Sequence, residues 1–87
     1  MDFKELYQIA KKAIVSTLGE DEPTDIRLEQ AEFSEDSGYW EVVVSFLVEN
    51  KNLSPLNIGA LRYERIYKLV KINDEKEVKG IYMFSHV

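Results

Sequence analysis

The chain is 87 residues long, 45% hydrophobic and 31% charged, with a formal net charge of −5 and no cysteine. That length predicts one domain, residues 1–87, burying somewhat more than roughly 60% of the surface its unfolded form exposes. The composition argues against several classes: no apolar run approaches the ~20 residues that span a bilayer, no thiol is present for disulfides or redox chemistry, and a net negative chain lacks the basic surface that phosphate backbones require.

The opening Met1-Asp2-Phe3-Lys4-Glu5 lacks the basic and apolar regions of a signal peptide, so a cytoplasmic location is expected. Residues 1–50 hold 12 acids and 4 bases, whereas residues 51–87 hold 4 acids and 7 bases. Strands from the two halves pair with each other, so this dipole in sequence reads either as a mixed solvated surface or as a steering field.

A helix is predicted from about Asp2 to Leu18, because Phe3, Leu6, Tyr7, Ala10, Ala13, Ile14, Thr17 and Leu18 recur at i, i+3, i+4 spacing and form one apolar stripe. Asp2 followed by Glu5 has the form of a capping box, and Gly19 is placed for a left-handed C-cap. Pro23 ends any continuation, and Gly19–Thr24 becomes an acidic turn. The next strand runs from about Asp25 to Phe33. Ile26 and Leu28 share one parity while Ala31 and Phe33 have the other, which predicts a β-bulge near Glu29-Gln30. Ser34–Gly38 is a hairpin turn.

The strand that follows, Tyr39 to Val48, organises the rest. Its even positions, Trp40, Val42, Val44, Phe46 and Val48, are all large and apolar, which predicts one buried face with Trp40 and Phe46 beneath Leu6, Ala10, Ala13 and Ile14 of the helix. A loop of about a dozen residues, Glu49–Leu61, comes next. Two further strands, about Arg62–Ile72 and Val78–Phe84, flank the tight polar turn Asn73–Glu77. Tyr63, Tyr67 and Leu69 compete with Ile66, Val70 and Ile72 for the buried face of the first, and Ile81 and Met83 oppose Tyr82 and Phe84 in the second. Periodicity alone does not phase either strand. The expected fold class is α+β: an N-terminal amphipathic helix packed on a four-stranded antiparallel meander sheet. In that topology the turns Ser34–Gly38 and Asn73–Glu77 share one end, and the helix exit and long loop share the other.

Chemistry-bearing residues are sparse. The single histidine, His86, is penultimate. No glycine-rich phosphate loop or His-Glu-x-x-His occurs, and the acid pairs Asp21/Glu22, Glu35/Asp36 and Asp74/Glu75 fall in turns without calcium-loop spacing. No catalytic residue, metal or cofactor is expected.

Two binding surfaces are. The long loop spaces Leu53, Leu56 and Ile58 around Pro55, too apolar for a solvated spacer, and reads either as a core plug or as a docking element steered by Glu20, Asp21 and Glu22. The odd-numbered face of the central strand, with Tyr39, Val43 and Leu47, has no element left to cover it and suggests a homodimer or partner interface.

Ile9-Ala10-Lys11-Lys12-Ala13, Gly38-Tyr39-Trp40-Glu41-Val42-Val43-Val44 and Tyr67-Lys68-Leu69-Val70-Lys71-Ile72-Asn73-Asp74 together resemble the PepSY-like domains, small α+β modules in which an amphipathic helix precedes antiparallel strands. The sequence departs from that pattern at Lys76/Glu77, where the family commonly has glycine, and in having no export signal, since the family is usually extracytoplasmic. The resemblance implies a non-catalytic regulatory or inhibitory module and carries over no catalytic residue. In size and acidity the chain also resembles small bacterial antitoxin and immunity proteins. The function expected is therefore a protein-binding module of inhibitor, antitoxin or immunity type, whose partner is a protein with a basic surface, with no nucleic acid and no membrane. The alternative is a ligand-binding or enzymatic domain using carboxylates in a pocket between helix and sheet.

Overall fold

The structure, a computed structural model, describes residues 1–19, 22–49 and 63–84. Helix α1 (Phe3–Leu18) is followed by strands β1 (Thr24–Ser34), β2 (Tyr39–Glu49), β3 (Tyr63–Ile72) and β4 (Val78–Met83). The strands form one antiparallel sheet in the order β1-β2-β3-β4. This is the expected α+β meander, and β2 lies inside it between β1 and β3.

Local chemistry sets the helix ends. The Asp2 carboxylate accepts the Glu5 N–H at 2.8 Å, and its carbonyl accepts the Leu6 N–H at 3.1 Å, so Asp2 is the cap and Phe3 the first helical residue. Only half of the capping box is used, because the Glu5 carboxylate turns to Lys76 Nζ at 3.3 Å. At the other end Gly19 has φ 62 and ψ −113. The sign of φ matches the expected glycine cap, but ψ lies in the mirror-image extended region rather than the left-handed helical one.

The core lies between α1 and one sheet face. Leu6, Ala10 and Ile14 of the helix meet Val42, Val44 and Phe46 of β2 and Val70 and Ile72 of β3, all fully or almost fully buried. Trp40 and Val48 belong to the same face but are only partly buried. Trp40 packs edge-on against Phe33, with ring centroids 5.4 Å apart. The stripe expected along α1 is also narrower than its spacing suggests. Phe3 is 62% exposed, whereas Tyr7 is tied down by its hydroxyl, which donates to the Ile26 carbonyl at 3.0 Å.

The bulge in β1 falls where the parity change requires it. Leu28 pairs with Val44 and Gln30 with Val43, leaving Glu29 as the additional residue. Ile26, Leu28 and Ala31 consequently all pack against the core despite their mixed parity. Register with β2 also phases β3: Ile66, Val70 and Ile72 oppose Phe46, Val42 and Trp40 on the helix side, and Tyr67 and Leu69 oppose Ser45 and Val43 on the other. Register with β3 places Ile81 opposite Val70 and Tyr82 opposite Leu69, so β4 is sorted in the same way.

Both hairpin turns lie at one end of the sheet, as the meander demands. In the β3–β4 turn the Asn73 side-chain oxygen accepts the backbone N–H groups of Glu75 and Glu77 at 3.0 and 2.9 Å. Lys76 takes φ 66, in the left-handed region that glycine enters most readily. No described helix is long and apolar enough to cross a membrane.

Candidate interaction surface

Side chains alternate along β2, so Tyr39, Glu41, Val43, Ser45 and Leu47 point away from α1. No other described helix or strand lies over this face. Tyr39 and Leu47 are half-buried. Val43 is only 3% exposed, so it is not the free surface residue that its place in the strand suggests. Its cross-strand neighbours Gln30 and Leu69 flank it in the middle of the twisted sheet. Glu22 is exposed ahead of β1. Glu20, Asp21, Leu53, Pro55, Leu56 and Ile58 lie outside the described residues, as does His86.

The same face carries a polar cluster that periodicity and composition do not single out. Ser45 is completely buried, and its hydroxyl donates to Glu29 Oε1 at 2.6 Å while accepting from Arg65 Nη1 at 2.8 Å. Arg65 continues to Asp25, donating to the carboxylate from Nη2 and to the carbonyl from Nη1 at 3.3 Å. Arg27 Nη2 joins the Asp25 carboxylate at 2.8 Å. The bulge makes this cluster possible: Arg27 pairs with Ser45 and Gln30 with Val43, so the additional residue Glu29 is brought beside Ser45. Asp25 has φ 49, a left-handed conformation that aspartate tolerates better than most residues. Loss of hydration raises its pKa, but hydrogen bonds from Arg27 and Arg65, with their charges, outweigh that effect and hold the carboxyl below its ordinary 3.8. Ser45 is the only small polar residue between Val42 and Val48, which is the signal available in sequence; its partners follow only from the register.

Toward the turn end the face is aromatic and charged. Tyr82 lies back over Gly80, where an added Cβ would stand 2.5 Å from the Tyr82 hydroxyl oxygen, so only glycine admits this ring position. The Lys71 ammonium sits over the Tyr82 ring at 5.3 Å from its centroid. Glu41 is directly opposite Lys71 in register, yet the two form no ion pair among the described residues.

Along β1, the edge strand, charge is one-sided. Residues 22–36 hold six carboxylates (Glu22, Asp25, Glu29, Glu32, Glu35 and Asp36) and one arginine, a net of −5 that equals the charge of the whole chain. All six acids are exposed. Sequence alone confines the acidic rim to the helix exit. The density of acids across residues 20–36 is visible there, but its alignment along one edge follows only from the strand order.

The alternative of a carboxylate site between helix and sheet requires acids converging in a cleft. A depression of about 320 Å³ between α1 and the β3–β4 turn is lined, among the described residues, by Ile9, Lys12, Ala13, Ser16, Lys76 and Val78. It offers lysines and no carboxylate. A second, of about 440 Å³, lies on the outer surface of α1 beside Gln8, Lys11, Lys12, Val15 and Ser16. Among the described residues Ser45 is the buried polar side chain, and no three metal-ligating residues cluster.

Compared with family models, curated proteins and solved structures, the chain finds no match in any of the three.

Proposed function

We propose that the chain is a small protein-binding module without catalysis of its own, acting as an inhibitor, antitoxin or immunity-type regulator on a partner that presents a basic surface. The observation that carries this reading is the acidic β1 edge, with exposed carboxylates along one strand and its two flanking turns. Concentrated like charge on one edge focuses a field that accelerates encounter with a basic patch and rejects acidic surfaces. The carboxylates also stop β1 from pairing with stray strands, and its bulges twist the edge away from flat addition. An edge defended in this way favours side-chain recognition over backbone pairing as the binding mode. The PepSY-like resemblance points in the same direction, toward a regulatory module.

The test is affinity capture from an extract of the native host at low and at 0.3 M salt (about a 6 Å Debye length), comparing the wild type with a Glu29→Gln, Glu32→Gln, Glu35→Gln variant. The reading predicts a basic protein retained at low salt by the wild type and lost from the variant. Capture of the same proteins by both forms, or of none with a basic surface, overturns it.

A further inference from the structure

We infer that β4 is the interface of a symmetric homodimer, pairing antiparallel with β4 of a second copy so that two four-stranded sheets join into one. β1 and β4 are the edges of the described sheet, and they are built differently. β1 carries exposed carboxylates and departs from regular pairing twice. In β4 the one departure lies at the turn end, where Lys71 pairs with Gly80 and Ile72 with Val78, leaving Lys79 as the additional residue and the only charged one in the strand. Residues 80–83 pair regularly and carry no charge. Such an edge is a template for another strand. Met83, at 85%, is also the most exposed of the large apolar side chains among the described residues, with Tyr82 beside it at 49%. Met83 lies in the row of Lys68 and Val44, on the side of the sheet that holds the core, so its exposure comes from its place at the edge.

Backbone phase identifies the occupant. The Phe84 N–H donates to the Tyr67 carbonyl at 3.2 Å. Antiparallel pairing alternates, so Tyr82 and Gly80 also turn their backbone groups toward β3, and Ile81 and Met83 turn theirs outward. A two-fold axis through Tyr82, perpendicular to the sheet, sets Ile81 opposite Met83 of the second copy and Met83 opposite its Ile81. Each of these two pairs exchanges two N–H···O=C bonds, four in all. On the core side Ile81, packed against the core, faces a methionine that the single chain leaves in water. On the other side Tyr82 stands beside its counterpart, and no charge meets a like charge within residues 80–83. Moving the axis to Ile81 would set Met83 against Lys79 and cross the irregular residue. The match requires this strand twice, read in opposite directions, and a second copy supplies it. The β1 edges then lie at the two far margins of the joined sheet, available to the basic partner.

Sedimentation equilibrium and amide hydrogen exchange from about 10 µM to about 1 mM, the range of weak specific contacts, test the inference. The wild type is expected to pass from the chain mass toward twice that mass. Over the same range the amides of Ile81 and Met83 are expected to exchange more slowly as concentration rises, while those of β1 keep their rates. Met83→Pro removes an outward N–H that β3 does not use, and Met83→Lys places a charge opposite Ile81 of the second copy. Each is expected to weaken association by about tenfold or more, with circular dichroism verifying the fold. Should the proline variant unfold, the lysine variant carries the comparison. A wild type that keeps the chain mass up to about 1 mM overturns the inference. So does a dimer in which the Ile81 and Met83 amides exchange at rates independent of concentration, or one that the folded variants form equally well.

Discussion

Phe46 and Trp40 share one face of β2, yet their environments differ in a way that mutation resolves. Phe46 is fully buried under α1, whereas Trp40 lies at the margin with its ring edge against Phe33, itself 44% exposed. Phe46→Ala is expected to cost about 3–5 kcal/mol, and Trp40→Ala roughly half as much, since less area leaves contact. Thermal melts of the two variants check this; equal losses would mean that Trp40 is as deeply packed as Phe46. Asp25 offers a residue-scale test with a definite sign. Its carboxyl titrates below the ordinary 3.8, because the opposing effect of lost hydration is outweighed by Arg27 and Arg65. The folded state therefore binds the proton more weakly than the unfolded one. The resulting stabilisation is present above the ordinary value and lost as pH falls through the lowered one. Melts of the wild type and Asp25→Asn from pH 6 to pH 2 are expected to differ by a constant amount at the upper end and to converge at the lower. A gap independent of pH would contradict the arginine pairing.

At the scale of elements, the β3–β4 turn rests on one side chain and carries one strained residue. Asn73 satisfies two backbone N–H groups, so Asn73→Ala is expected to cost about 1–2 kcal/mol. Lys76 holds φ 66, and Lys76→Gly relieves that conformation at the loss of a surface pair with Glu5, for a net stabilisation of up to about 1 kcal/mol. Urea denaturation of both variants checks the pair, and a destabilising Lys76→Gly would contradict the turn geometry. Much of this level is legible in the sequence, for reasons specific to each element. Asp2, Gly19 and Pro23 mark the limits of α1 by local chemistry, and the parity change between Leu28 and Ala31 marks the bulge. Sequence does not phase β3, because apolar residues occupy both of its faces. Ile66, Val70 and Ile72 are separable from Tyr67 and Leu69, but which set is covered depends on pairing with Val42 and Phe46, a nonlocal fact. The Ser45 cluster is hidden for the same reason, since Glu29, Ser45 and Arg65 come from three strands. The loop that reads from sequence as a core plug or a docking element, Glu49–Leu61, lies outside the described residues apart from Glu49.

For the whole molecule, the sheet separates two surfaces with different work. One face is dry and closed by α1 and holds the chain together. The other combines a buried polar cluster with exposed tyrosines and an unpaired Glu41 and Lys71, and the β1 edge carries the acid. The centre of that second face is closed, since Val43 and Ser45 are buried, and the acidic β1 edge is the surface on which the proposed partner is recognised. The most direct measurement is capture from a native-host extract at low and at 0.3 M salt (about a 6 Å Debye length) by the wild type and by the Glu29→Gln, Glu32→Gln, Glu35→Gln variant. The account predicts a basic protein held by the wild type at low salt and released both by salt and by the substitutions. A partner held equally by both forms at both salt concentrations would contradict it.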